Sequence, residues 1–241
     1  MNQGTYPLAA AMVNEINRVD VISNNLANVN TNGFKQESLT EGSFNHYLKR
    51  AEQEGFAPSK LSTVMNTVPK IDGKFLNQEK GPIVATGNSL DFALKQRDTF
   101  FRVQDDSGEV VYSRDGAFKP LNGMLVNSSG QFILNNDNEA ISVEDEDYIQ
   151  QISVVQIDYN DLEKYKDNNF KEKEAGAFVQ NIDDNSGYLI QGSIEKSNVN
   201  TVRSMVNLID AHRGLERAQK GITSIGEINA KLIEKIGSNT K

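Results

Sequence analysis

With 241 residues, 37% of them hydrophobic, and a net charge of −8, the chain could form one large domain or a medium domain with appendages, and it is somewhat poor in core residues. The acidic balance argues against nucleic acid as the main partner, because phosphate binding needs clustered Lys and Arg. The absence of cysteine excludes a disulfide framework, a thiolate metal site and a cysteine nucleophile.

The first residues, MNQGTYPLAAAMVNEI, lack a basic leading region, and Asn14 and Glu15 interrupt the apolar run, so they do not read as a signal peptide. No run reaches the roughly 18 apolar residues of a transmembrane helix. Residues 1–35 form a first region, an assembly helix. Its apolar residues fall at Met12, Ile16, Val19, Ile22, Leu26 and Val29, in steps of three and four that make a narrow seam. Asn14, Glu15, Asn17, Arg18, Asn24 and Asn25 occupy the other face, and Asn28 flanks the seam. The pair Asn32-Gly33 is expected to stop the helix, with Gly33 left-handed just past its end.

Residues 36–80 read as a connector, in which Phe44, Tyr47, Leu48 and Ala51 suggest a short helix ended by Gly55, followed by loop through Pro58 and Pro69. From Gly81 to residue 194 the period changes to short β-like runs: PIVA, DFAL, TFFRVQ, EVVYSR, MLVN, QFIL, ISVVQID and YLIQ. Turns such as Asn122-Gly123 separate them, so this region is expected to be an all-β antiparallel domain of barrel or Greek-key character. Phe100, Phe101, Phe118 and Phe132 are its expected core aromatics.

Residues 195–241 return to a helical seam through Leu208, Ala211, Leu215, Ala218, Ile222, Ile225, Leu232 and Ile236, with Asn229 in the one missing place. A second stripe, Val202, Met205, Val206 and Ile209, widens the apolar face near its start. Gly214, Gly221 and Gly226 would each cost about 1 kcal/mol against Ala in a helix interior, which suggests close packing or a bend. The fold class is therefore mixed α and β: terminal helices forming a coiled-coil-like stalk, with a central β domain.

Signals for catalysis are weak. Phosphate loops, zinc-protease helices, nucleophile elbows and EF-hand loops are absent. His212, with Glu216 four residues on, lacks a third ligand. The acidic group Asp137, Glu139, Glu144, Asp145, Glu146 and Asp147 is explained by a solvated loop, and Asp183-Asp184-Asn185-Ser186-Gly187 by a turn. Asn127-Ser128-Ser129 fits the glycosylation pattern, which is common. A carboxylate pair involving Asp91 or Asp115 would be needed for glycan cleavage. No catalytic residue, metal or cofactor is expected.

Three blocks point further. DVISNNLANVNTNGFK (residues 20–35) closely resembles the N-terminal motif of bacterial flagellar rod and hook proteins. GPIVATGNSLDFAL (81–94), TFFRVQ and YSRDGAF (112–118) resemble their central region, and GSIEKSNVNTVRSMVNLIDAHRGLE (192–216) their C-terminal block. The blocks stand in family order. The chain is too short for a hook subunit, and its length and the modest insertion at 36–80 favour the proximal over the distal rod type.

The resemblance implies a structural subunit of the basal-body rod and not an enzyme. It further implies export by the flagellar type III apparatus without a cleaved signal, and helical assembly with copies of itself and other rod proteins. The product would be a periplasm-spanning shaft that transmits motor torque to the hook. No cofactor, nucleic acid or membrane insertion is implied. The residues expected at the assembly interface are Met12, Ile16, Val19, Ile22, Asn24, Asn25, Leu26, Asn28, Val29, Leu208, Leu215, Ile222, Ile225 and Leu232. The competing reading is an exported β-domain protein that binds or cleaves glycan, with the helices as a dimerisation stalk.

Overall fold

The structure is a computed structural model that describes residues 5–43, 69–145, 147–173 and 178–238. The short helix expected around residues 44–55, and His46 with it, lie outside the described residues. The chain divides into two compact units.

The first unit comprises residues 1–27, 37–76 and 200–241. Helix α1 spans Thr5–Ala27 and the long C-terminal helix, here α3, spans Thr201–Ser238. At 1.5 Å per residue they measure about 34 and 57 Å. Asn200 starts α3 as an N-cap, its side-chain oxygen accepting from the Arg203 amide at 2.9 Å. Helix α1 ends at Ala27, several residues before Gly33. The expected stop at Asn32-Gly33 is therefore corrected. Asn28 takes the chain out of the helix, its carbonyl accepting from the Thr31 amide at 3.1 Å and its amide oxygen from the Thr31 hydroxyl at 3.2 Å. Strands β1 (Glu37–Ser43) and β2 (Pro69–Leu76) pair antiparallel, with a register shift between Thr40 and Glu41. The ribbon lies in a region read as irregular connector, and its strand β1 lacks the alternating apolar pattern because its sequence ESLTEGS carries one large apolar residue.

The second unit comprises residues 28–36 and 77–199. Its strands are β3 (Ile83–Ala85), β4 (Phe92–Leu94), β5 (Thr99–Gln104), β6 (Val110–Ser113), β7 (Lys119–Leu121), β8 (Met124–Val126), β9 (Phe132–Ile133), β10 (Val154–Gln156), β11 (Leu162–Lys164), β12 (Phe170–Glu172), β13 (Gln180–Ile182), β14 (Leu189–Gln191) and β15 (Ser193–Glu195), with a single helical turn α2 (Tyr148–Gln151) before β10. The main sheet runs β11-β12-β6-β5-β9-β8-β7, with β10 added to β5 and β13 to β10; β14 pairs β4 and β15 pairs β3. All pairings are antiparallel. Among the described residues the sheet does not close on itself, so no barrel forms.

Strand β5 is the axis of this unit. One of its edges pairs with β6, while the other pairs with β10 through Thr99–Phe101 and with β9 through Val103 and Gln104. Adjacent side chains on a strand point to opposite faces, so Phe100 and Phe101 anchor two cores. Phe101 stacks edge-on against Phe118 at 5.0 Å, within a cluster that includes Val103, Leu125, Ile133 and Val154. Phe100 meets Tyr159 at 5.1 Å and Phe170 at 5.5 Å, both edge-on. Phe132, expected in this core, is instead an exposed residue, because the sheet at β9 has only one covered face.

Truncating Phe101 to Ala leaves a void between tightly packed rings, and the expected cost is about 3–5 kcal/mol. Urea unfolding of the purified chain followed by fluorescence checks this through the midpoint; a loss under about 1 kcal/mol would contradict the assigned core.

Candidate assembly site

In the first unit, α1 and α3 lie side by side and antiparallel. A Cβ built on Gly214 would meet the Glu15 carboxyl at 2.8 Å, and one built on Gly221 would meet the Leu8 methyls at 3.2 Å, so rising numbers on one helix face falling numbers on the other. The same spacing sets Thr5 opposite Ser224, and Gly226 meets nothing within 4 Å. Two of the three glycines therefore serve close packing. Ser204, Ala211 and Ala218 are buried on α3, so the most deeply covered positions of that helix are small residues.

The expected interface residues are distributed unevenly. On α1, Met12, Val19, Ile22 and Leu26 are half-buried, while Ile16 is exposed because Glu15 takes the place toward Gly214. Val29 and Asn28 are half-buried beyond the helix end and Asn24 is exposed. Asn25 is buried, and its amide grips the start of β1 twice: Nδ2 donates to the Glu37 carbonyl at 2.7 Å, and Oδ1 accepts from the Glu37 amide at 2.8 Å. On α3, Leu208, Leu215, Ile222, Ile225 and Asn229 are half-buried, whereas Leu232 is exposed. Two apolar stretches remain open to solvent: Val202, Met205, Val206 and Ile209 near the start of α3, and Ile228, Leu232, Ile233 and Ile236 toward its end.

In the second unit, the stretches by which the chain enters and leaves it are tied into one buried knot. Glu195, at the end of β15, sits between two cations. Its Oε1 accepts from Lys35 Nζ at 2.7 Å and from the Gly81 amide at 2.9 Å, and its Oε2 accepts from Arg114 Nε at 2.8 Å and from Arg114 Nη2. All three side chains are at most 1% exposed. Arg114 Nη1 donates to the carbonyls of Gln96, Arg97 and Thr99, and Lys35 Nζ to that of Glu79. Asn198 completes the knot: its Oδ1 accepts from the Gln36 amide at 2.7 Å, and its Nδ2 donates to the carbonyls of Asn77 and Glu79.

Two glycines make this approach possible. Gly33 has φ +66°, donates its amide to the Glu195 carbonyl at 2.8 Å, and leaves no room for a Cβ, which would lie 2.5 Å from the Arg114 backbone. A Cβ on Gly81 would fall 1.8 Å from the Lys196 carbonyl oxygen.

Burial, helped by the neighbouring Arg114 charge, lowers Lys35 to about 8 despite the opposing pull of Glu195. Burial alone would raise Glu195, but the Arg114 and Lys35 charges and the hydrogen bonds outweigh it and hold its carboxyl below the usual range. None of these residues was assigned a role from sequence. The available signal was a charged residue inside each buried segment: Lys35 after Phe34, Arg114 in YSRDG, and Glu195 in GSIEK.

The other candidates resolve as turn and loop residues. Asp91 accepts from the Thr86 hydroxyl and the Asn88 amide group. Asp115 accepts from the Ser128 hydroxyl and backbone amide and from the Ala117 amide, and burial raises its pKa. Asn185 holds the carbonyls of Ile149 and Ile152, and Asn127 is buried with its amide group hydrogen-bonded to Gln131, so it is closed to glycosylation. His212 is exposed on α3. Among the described residues no three His, Asp or Glu side chains cluster as metal ligands, and no helix is long and apolar enough to cross a membrane.

Glu195→Gln should cost about 3–5 kcal/mol by leaving two buried cations short of an anion. Because the folded carboxyl titrates below its ordinary value of 4.5, its contribution is complete above that pH and is lost as the pH falls through the folded value. Asp115, with a raised value, has the opposite dependence, so the test is the difference between variant and parent. Urea midpoints measured from about pH 6 down to pH 3 should fall less steeply in the variant; parallel curves would mean that the carboxylate is not the acid-sensitive group.

Comparison with known proteins gives the context. Residues 8–35 match the family described as flagella basal body rod protein, residues 96–160 the flagellar hook protein FlgE/F/G D1 domain, and residues 190–235 the flagellar basal body rod FlgEFG protein C-terminal. The flagellar basal-body rod protein FlgG of Buchnera aphidicola subsp. Schizaphis graminum is 31% identical over 89% of this chain and 92% of its own length. FlgG of Bacillus subtilis is 30% identical over 97% and 98%, and the rod protein FlgF of Caulobacter vibrioides 28% identical over 91% of each.

Proposed function

Since the chain belongs to the flagellar basal-body rod protein family and is a structural subunit of that rod in the basal body, we propose that it polymerises through α1 and α3 into a shaft that carries motor torque toward the hook. The observation that carries this reading is the open apolar face of α3. Val202, Met205, Val206 and Ile209 lie exposed on a helix that packs against α1 through its small residues. An apolar stripe left in water is a docking surface waiting for its partner, and copies of the same chain and other rod proteins supply the matching helices. The terminal helices then form a coiled-coil-like inner tube.

The second unit fits the load-transmitting part of this role. Its core packs against both faces of β5, and a buried ion cluster fixes the segments through which the chain enters and leaves. The subunit acts by packing, without catalysis or cofactor. Its route is the flagellar type III export apparatus, without a cleaved signal, to a position in the periplasm. The proximal assignment rests on chain length and the modest insertion at 36–80; relatives named FlgG and FlgF both align over more than nine-tenths of their length. The glycan-cleaving alternative loses its candidate residues, since Asp91 and Asp115 serve as turn staples.

Replacing Met205 and Ile209 together by Asp puts two charges on the open face without touching the side facing α1. The expected outcome is a subunit with unchanged circular dichroism and thermal midpoint that is exported but does not enter rods, leaving cells non-motile. Normal motility and normal rod incorporation would show that this face is not the interface.

A further inference from the structure

Five asparagines in the chain precede Gly or Ser, the small neighbours that leave an asparagine side chain most open to attack by the next backbone nitrogen: Asn32, Asn88, Asn122, Asn127 and Asn185. The fold locks four of them. Asn32 Oδ1 accepts from Lys196 Nζ at 3.1 Å, and the Gly33 nitrogen, which would have to attack, donates its proton to the Glu195 carbonyl. Asn88 Nδ2 donates to Asp91 at 3.0 Å. Asn127 is buried with both amide atoms engaged, and the nitrogen after it donates to Asp115. Asn185 Nδ2 donates to backbone carbonyls, and the Ser186 nitrogen is bound to Asp184.

Asn122 is different. It forms the hairpin tip between β7 and β8 with Gly123, both left-handed at φ 52° and 81°, and its side chain is exposed. Among the described residues its amide group has no hydrogen-bond partner, and the Gly123 nitrogen likewise donates to none. The Glu144 carboxylate lies beside Gly123, with an oxygen 3.7 Å from where a Cβ would stand.

We propose that Asn122 is a site of spontaneous deamidation, a chemical modification confined by the fold to this one turn. The Gly123 backbone nitrogen gives its proton to hydroxide or water and attacks Cγ of Asn122. The Cγ–Nδ2 bond breaks, and the amide nitrogen leaves as ammonia, taking up a proton. Water then opens the cyclic imide. Cleavage of the new N–Cγ bond gives aspartate, and cleavage of the imide's bond to the main-chain carbonyl gives isoaspartate. No oxidant, reductant or catalyst is required.

The two products differ in consequence. Aspartate tolerates the left-handed conformation and keeps the turn, adding one charge to take the net from −8 to −9. Isoaspartate inserts a methylene into the main chain at a two-residue turn whose backbone must match the strand twist, so it breaks the Leu121–Met124 pairing at the sheet edge. A subunit that stays in a long-lived assembly would accumulate this mark with age.

The test is incubation of the purified full chain at mildly alkaline pH, with peptide mass mapping and an isoaspartate-specific methylation assay. A parallel sample is held in urea, and an Asn122→Gly variant keeps the turn but has no amide to lose. In the folded chain, conversion should appear at Asn122, rise with pH and vanish in the variant. Conversion at Asn32 should trail by about tenfold for each ~1.4 kcal/mol needed to open its hydrogen bonds. In urea both sites should convert at comparable rates. The proposal is overturned if folded Asn32 converts as fast as Asn122, or if Asn122 stays intact in the folded chain, whether or not urea releases it.

Discussion

The second unit depends on one carboxylate. Glu195 accepts four hydrogen bonds in a buried site, three from cations and one from a glycine amide, and these donors come from three separate stretches of chain. Burying a charge costs several kcal/mol even after the surroundings relax, and two cations around one anion leave a surplus positive charge. Backbone carbonyls of Glu79, Gln96, Arg97 and Thr99 offset that surplus. An apolar plug of equal volume would often be as stable, but it would tolerate sliding and rotation. Directional donors at 2.7–2.9 Å do not. The arrangement therefore contributes geometry more than net stability, and the glycines at 33 and 81 are the backbone's concession to it.

How much of this could be read from the sequence depends on whether the information was periodic. The long helices announced themselves through repeated steps of three and four, and α3 begins one residue before Val202, the first residue of its second apolar stripe. Strands β5, β6 and β10 were visible as apolar runs because their residues are buried on both faces. Strands β11, β12 and β13 were not, because each buries one residue of three, Leu162, Phe170 and Ile182, and so carries no pattern that a turn could not. In the ribbon β1–β2, strand β1 carries one large apolar residue in seven and so shows no alternation. Its pairing is a main-chain event, and polar side chains say little about it.

The seam on α1 shows a subtler failure. Counting apolar residues placed Ile16 toward the partner helix and Glu15 away from it, but the structure does the reverse. Gly214 supplies the reason: the notch left by its missing side chain receives the Glu15 carboxyl, with Arg18 one turn along at 3.7 Å. The amino-acid pattern of one helix cannot reveal this, because the choice is made by the small residues of the other. The ion knot was hidden for a related reason. Lys35, Arg114 and Glu195 lie 79 and 81 residues apart in order along the chain, and nothing local pairs them.

The two units also differ in how they satisfy their apolar surface, and this difference bears on assembly. The β unit covers both faces of its central strand with aromatic pairs and ends its β7 edge on Lys119-Pro120-Leu121. There Pro120 removes an outward-facing amide and so blunts the edge against strand addition. The helices do the opposite. They approach closely at small residues, only half-bury Leu208, Leu215 and Ile222, and leave two further apolar stretches of α3 in water. A helix pair designed to be self-sufficient would turn Met205, Val206 and Ile209 inward and its alanines and glycines outward. On the proposed reading the inversion has a purpose. Small residues let the pair approach closely within one subunit, and the large ones are reserved for neighbouring copies. Part of the hydrophobic contribution to helix stability is then collected only on polymerisation, while the core of the β unit is already packed around β5.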